Sequence, residues 1–178
     1  TGLRMGARDG LPSEPSDGET PTHFQAQQRF ETNVYYITSA PGDDHLDRWL
    51  WDFIYPTTAG VADSWVNTFI LNTTSDEAPG TIGLSMLGYT YTHHVVVKLN
   101  DEIIANTTWD GTAWHTIEID IPSGLLETNN TLEVICPNDT GEGIDIVYID
   151  WVELNYASTF QSSGGQLPFM GTNPESTT

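Results

Sequence analysis

Basic residues are nearly absent. Lys and Arg together number 5 against 25 Asp and Glu, for a formal net charge of −20. A field of that sign repels phosphate backbones and anionic headgroups, which excludes nucleic acid and acidic membrane surfaces as partners. Cysteine is as scarce. Cys136 is alone and cannot close an internal disulfide; it follows Leu132 and Val134 at period two, which makes it a small hydrophobe on an apolar strand face rather than a nucleophile. No apolar run is long enough to cross a bilayer. No segment keeps the three-to-four spacing of an amphipathic helix, although 42–50 has room for one short helical turn. Paired-cysteine zinc spacings, a phosphate loop and the His-x-His and His-Glu-x-x-His patterns are also missing. The first residues, Thr1-Gly2, suit a processed product or an excerpt.

What the chain does have is alternation. Trp49, Trp51, Phe53 and Tyr55 share one parity, as do Trp65, Phe69 and Leu71, then Ile82, Leu84 and Met86, and then Val95, Val97 and Leu99. His115, Ile117, Ile119 and Ile121 oppose Trp114, Thr116, Glu118 and Asp120. Period two is the mark of a half-buried strand. The segment 144–156 is apolar on both faces, as a central strand should be. Turn residues separate these runs, at Trp109-Asp110-Gly111, Pro122-Ser123-Gly124 and Pro137 to Gly141. One sheet cannot bury its own inner face, so two must stack about 10 Å apart. The expected fold is an all-β, antiparallel two-sheet jelly-roll β-sandwich over 23–170. Residues 1–22, rich in Gly, Pro, Ser and acids, read as a flexible or partner-ordered leader, and 171–178 as a tail.

The acid excess has two readings: a dispersing coat suited to high salt, or oxygen ligands for a divalent cation. Neither Asp43-Asp44-His45-Leu46-Asp47 nor the loop from Asn138 to Asp145 has the spacing of a twelve-residue calcium loop, and each reads as a solvated turn. Asp150 differs, since it sits mid-strand between Ile149 and Trp151 and its carboxylate needs a partner, a metal or water. His93 and His94 are neighbours on a strand and point to opposite faces; His115 lies on the apolar side of its strand, as a satisfied core histidine. Nothing here assembles a nucleophile, a base and an orienting group, so no catalytic residue is assigned. Core packing is the expected role of Trp49, Trp51 and Trp151. Trp109 and Trp114 flank a turn, where an indole on a solvent-facing surface can stack on a sugar, cover the leader or meet another subunit. Asn-x-Thr sequons at Asn72, Asn106, Asn129 and Asn138 agree with export.

A set of turns and core positions over roughly 31–169 resembles the jelly-roll accessory domains beside gingipain-type cysteine peptidases and, more loosely, jelly-roll carbohydrate-binding modules. The matching residues are Glu31-x-Asn33-x-x-Tyr36, Asp43-Asp44 before Trp49-x-Trp51, and Val95-x-Val97-x-Leu99-Asn100. They continue with Trp109-Asp110-Gly111, Asn130-Thr131-Leu132, Asp139-x-Gly141, Asp145 to Tyr156 and Leu167-x-Phe169. Two departures stand out: Asp101 takes the place of a Gly after the strand-ending Asn, and Ala157-Ser158 that of a Pro-Arg pair. No peptidase domain is present, so protease activity does not carry over. The resemblance implies Ca²⁺ joining the first strand to the last, at Glu31 and Asp150. Together these readings lead to a non-catalytic, secreted or surface-exposed, carbohydrate-binding-like module with Trp109, Trp114, Tyr91 and His94 at its ligand surface. Its partner is a glycan, with no membrane insertion. The alternative is a structural subunit of an extracellular assembly, such as a filament, envelope layer or virion, where the partners are neighbouring protein subunits.

Overall fold

The computed structural model describes residues 22–43, 46–71, 74–75 and 78–161. The expected leader up to Pro21, the tail, Leu167-x-Phe169 and the sequon at Asn72 lie outside the described residues. Every regular element among those described is a strand. They are β1 (His23–Glu31), β2 (Tyr35–Tyr36), β3 (Trp49–Leu50), β4 (Asp52–Ile54), β5 (Asp63–Ile70), β6 (Gly80–Gly88), β7 (Thr92–Leu99), β8 (Glu102–Asp110), β9 (Trp114–Ile121), β10 (Asn129–Cys136) and β11 (Val147–Thr159).

The pairings nest. β7 pairs with β8, β6 with β9, β5 with β10 and β4 with β11, all antiparallel. The innermost turn is Asn100-Asp101, both at positive φ (49° and 69°), the geometry of a two-residue hairpin turn whose twist matches its strands. Asp101 therefore does the work of the expected Gly, because Asn and Asp tolerate the left-handed region better than other side chains. This long double ribbon rolls up when β11 also pairs with β6 and β10 with β7. The result is a sheet ordered β1-β11-β6-β9, with β4 also on β11, facing a sheet ordered β5-β10-β7-β8. That is the antiparallel jelly-roll sandwich that the alternation predicts.

The core lies where the two sheets meet. Ile82, Leu84 and Met86 face Val95, Val97, Leu99, Leu132 and Val134, and all are fully buried. Each such side chain contributes about 1.5–3 kcal/mol by leaving water. Two of the expected core tryptophans are elsewhere. Trp51 is half-buried against Trp65 with its ring edge-on at 4.8 Å, but Trp49 is exposed, since β3 and β4 break at residue 51 and bury Leu50 and Ile54 instead. Trp151 is turned outward by a bulge: the β11 register shifts between Ile149 and Trp151, so Val152 and Leu154 point into the core. The indole lies across Gly83, whose missing side chain makes room for it, with the Arg29 guanidinium 4.4 Å from its ring centre.

The sandwich has two distinct ends. His23 pairs with Thr159, so the chain enters and leaves the fold at one pole. Tyr148 pairs with Phe53 at the far end of β11, roughly 35 Å away at the rise of an extended strand. The segment between β1 and β4, the β6–β7 and β8–β9 turns and the β10–β11 loop all gather at that second pole.

Candidate functional site

The loop-bearing pole is built in two layers. Its inner layer is a buried polar cluster. His93 shares the parity of Val95 and Val97 and faces inward, with no exposed surface; Asp145 shares that of Val147 and Ile149 and is equally buried. His93 donates from Nδ1 to Asp145 Oδ1 at 2.5 Å, the Cys136 thiol donates to Asp145 Oδ2 at 3.0 Å, and the His94 backbone N–H donates to the same oxygen at 3.2 Å. Burial alone would raise the Asp145 pKa, but the donors of His93, Cys136 and His94 outweigh it and hold the carboxyl below its usual range. Burial first, and the neighbouring carboxylate second, push the Cys136 thiol well up. A cysteine, a histidine and an aspartate thus meet, but not as a nucleophilic triad: the thiol bonds to the carboxylate instead of the imidazole, stays protonated and is sealed from solvent.

Aromatic rings complete this layer. His93 stacks on Trp109 at 4.8 Å, and Trp109 lies nearly parallel to His115 at 4.4 Å. His115 Nε2 is 2.9 Å from Thr107 Oγ1, and its burial, with His93 close by, lowers its pKa. Gly88 lets this stack close up, because a Cβ there would strike the His93 imidazole and come within 2.6 Å of Trp109 Nε1. Asp145 thereby ties the β10–β11 loop to β7, and the ring stack ties β7 to β8 and β9.

The outer layer is an exposed aromatic surface. Residues 37–41 fold back over the outer face of the β1-containing sheet, where Ala40, Leu50 and Leu87 form a small second core with Ile37, Trp114 and Tyr148 packed on it. Outside it, Tyr36 meets Trp49 at 5.2 Å. Tyr35, Phe53, Tyr148 and Tyr89 form a continuous chain of ring contacts 5.3 to 5.7 Å apart, and Tyr89 Oη reaches Ser39 Oγ at 3.1 Å. Tyr55 is exposed beside them, and Tyr91, on the β6–β7 turn, is 78% exposed. Contiguous exposure of large aromatics marks a binding surface more often than a structural accident.

The residues expected at the ligand surface divide between the layers. Tyr91 is open. His94 faces outward, its Nδ1 2.6 Å from Asp139 Oδ1 and its Nε2 3.0 Å from Asn106 Oδ1. Partial burial lowers its pKa, but those partners more than reverse this and raise it. Trp109 belongs to the inner stack, since its position on β8 opposes the inward-facing His93. Trp114 is roofed by the fold-back and donates from Nε1 to the Pro41 carbonyl at 2.7 Å. Neither indole forms an open platform; the exposed rings of residues 35–55 do. Their signal in the sequence was aromatic density between 35 and 55, beside the turn-forming Pro41-Gly42.

Glu31 and Asp150 lie on neighbouring strands, since Glu31 pairs with Trp151, and Glu31 Oε2 accepts from Arg29 Nε at 2.9 Å. Asp150 sits at the bulge and accepts from Ser85 Oγ at 3.0 Å. Desolvation is the main force on its carboxyl; the Ser85 bond and the Arg29 charge oppose it, Glu31 and Asp47 reinforce it, and the pKa rises to about 6. No group of three His, Cys, Asp or Glu side chains among the described residues is arranged to hold a metal ion. The sequons also differ. Asn106 and Asn129 are exposed, but Asn138 is 1% exposed at positive φ and donates from Nδ2 to the Thr58 carbonyl, which corrects its assignment as a glycan acceptor in the folded chain.

No protein-family model and no curated protein sequence matches the chain. Solved structures are similar in fold. Dimeric latent PorU from Porphyromonas gingivalis superposes with a TM-score of 0.64 over 85% of this chain at 12% identity. This chain corresponds to 14% of the length of PorU. A family 35 carbohydrate-binding module from an environmental isolate matches at a TM-score of 0.42, with 16% identity, over 81% of this chain and 99% of that one. The module CBM36 in complex with calcium and xylotriose matches at 0.36, with 11% identity, over 73% and 98%. At this identity the PorU match establishes a shared fold and nothing beyond it; the carbohydrate-binding modules resemble this chain more distantly.

Proposed function

We propose that this chain is a non-catalytic, extracellular glycan-binding module whose ligand surface is the aromatic layer at the loop-bearing pole. The observation that carries this reading is the run of exposed rings, Tyr35, Tyr36, Trp49, Phe53 and Tyr89, at the pole opposite both ends of the fold. A module tethered at one pole presents the other to a polymer, and ring faces that stay wet in the free protein stack on the apolar faces of sugars. Tyr91 extends the surface along the β6–β7 turn, whereas His94 faces outward from the opposite sheet, bonded to Asp139 and Asn106. Trp109 and Trp114 support it from below, by fixing the turns and the fold-back that carry the rings. The −20 charge keeps nucleic acid and anionic lipid away.

A glycan array followed by titration calorimetry tests the reading. Tyr36→Ala and Trp49→Ala should each weaken the best array ligand by at least about tenfold, the loss of one stacking contact, with unchanged melting temperatures. An array without signal above background, and titrations without heat, would sink it. The competing role, a subunit of an extracellular assembly, would bury the same rings between copies, and sedimentation of the full chain as polymers would favour it. Calcium belongs to this proposal as a stabilising ion at Glu31 and Asp150, where it would relieve the crowding of carboxylates at the bulge. Glycans attached at Asn106 or Asn129 would register as added mass on protein recovered from its natural source.

A further inference from the structure

We propose that the aromatic pole selects positively charged glycans, with polymers of amino sugars bearing a free C2 ammonium as the ligand class. This deepens the glycan-binding reading and rests on it. The reason is the placement of carboxylates among the rings. The Trp49 backbone N–H donates to Asp47 Oδ1 at 3.0 Å, that of Phe53 to Asp52 Oδ1 at 2.9 Å, and that of Tyr55 to Asp63 Oδ2 at 3.0 Å. Three exposed aromatic residues of one stretch, Trp49, Phe53 and Tyr55, thus each hold a carboxylate against their own backbone. Asp63 also accepts from the Ser64 N–H at its other oxygen, and each of the three carboxylates keeps lone pairs for a further donor.

A ring face is negative at its centre and attracts an ammonium, and an adjacent carboxylate attracts it further. A neutral sugar uses the ring alone. Nothing on this surface offers the opposite charge. Arg48, the one described basic side chain between residues 32 and 63, directs its guanidinium to the carbonyls of Thr38, Gly42 and Asp43. An acidic glycan would meet carboxylates with no available cation, in the field of a chain at −20.

The test titrates the full chain with glucosamine hexamer, N-acetylglucosamine hexamer and galacturonate hexamer at pH 5.5, in low and in 0.5 M salt. Hexalysine serves as a polycation without sugar rings. The glucosamine hexamer is expected to bind about tenfold tighter than its acetylated form, to lose that margin in high salt, and to leave the galacturonate hexamer unbound. Asp47→Asn with Asp52→Asn keeps the backbone bonds and removes the charges; it should erase the margin and spare the acetylated ligand. Trp49→Ala should weaken both sugars and leave hexalysine unaffected. Equal binding of glucosamine and N-acetylglucosamine hexamers overturns charge selection and leaves the glycan reading intact. Loss of both sugars overturns the two together. A glucosamine preference that survives the double variant, or follows hexalysine in every variant, overturns the assigned carboxylates, because the field of the whole chain then accounts for it.

Discussion

Asp145 and Asp150 sit five residues apart in one stretch of chain, and the protein treats them in opposite ways. Asp145 has no exposed surface, yet its carboxyl is held below the ordinary range. Asp150 is only half-buried, yet its pKa rises to about 6. Depth does not decide between them; donors do. Asp145 accepts from an imidazole, a thiol and a backbone amide, whereas Asp150 accepts from one hydroxyl and lies near Glu31 and Asp47. The first is an organising centre for the loops that carry the aromatic layer. The second is an acidic spot on an outer sheet face, where Arg29, paired with Glu31 at 2.9 Å, only partly offsets the charge.

Removing each carboxylate should separate the two roles most sharply. Asp145→Ala leaves the His93 imidazole and the Cys136 thiol buried without their acceptor, and breaking a buried pair in this way costs about 3–5 kcal/mol. Asp150→Ala strands the buried Ser85 hydroxyl but relieves like-charge crowding, so its net loss should stay below about 1 kcal/mol. Urea denaturation of both variants measures this. An Asp145→Ala loss below about 1 kcal/mol would show that the cluster is incidental to the loops.

The next contrast uses two glycines of β6. At Gly88 a methyl collides with the His93–Trp109 stack, and overpacking of that kind costs about 1–3 kcal/mol. At Gly83 the methyl would come within 3.1 Å of the Trp151 ring on the outer face, where the indole can slide, so Gly83→Ala should cost less than about 1 kcal/mol. Thermal melts rank the two; an equal or reversed ranking would remove the inner stack as a distinct rigid layer.

Much of this layout was legible in the sequence, one strand at a time. Period two placed His93 with Val95 and Val97, and Cys136 with Val134, and both faces came out as read. The same parity puts Asp145 with Val147 and Ile149, although an acid among loop residues reads first as a solvated turn. Convergence was not legible: His93, Cys136 and Asp145 meet only because β7 pairs with β10 and the loop after β10 returns over them. Bulges also defeat parity. Counting on from Ile149 puts Trp151 inside, and the register shift at Asp150 reverses that. A break at Trp51 similarly exposes Trp49. The aromatic surface is drawn from β2, β3, β4, β11 and the β6–β7 turn, which no local pattern could have joined.

Calcium should distinguish the two acids by a smaller margin. An ion held by Glu31 and Asp150 binds the folded chain alone and raises its melting temperature. With millimolar calcium replaced by a chelator, the midpoint should fall by about 2–4 °C, and in Glu31→Gln with Asp150→Asn it should not move. Asp145→Asn should keep the calcium response, because its carboxylate is already committed to three donors. An unmoved wild-type midpoint would remove Glu31 and Asp150 as ligands.

The smallest expected effect is also the one in which the two acids oppose each other most directly. A carboxyl with a lowered folded pKa, as at Asp145, contributes stability above its unfolded pKa and loses it as pH falls through the lower folded value. At Asp150 the folded pKa is raised, so the native state holds the extra proton between the ordinary carboxylate range and about 6, and stability declines as pH rises through that window. Solvent screening at this half-exposed group limits the decline to about 1 kcal/mol or less. Chemical denaturation in chelator from pH 4 to 7.5 should show that decline in the wild type and its loss in Asp150→Asn. In Asp145→Asn the decline should persist, while the stabilisation normally lost at lower pH is already gone. If both variants keep the wild-type slope, the carboxyl that titrates near 6 is not Asp150, and the proposed cation site loses its basis.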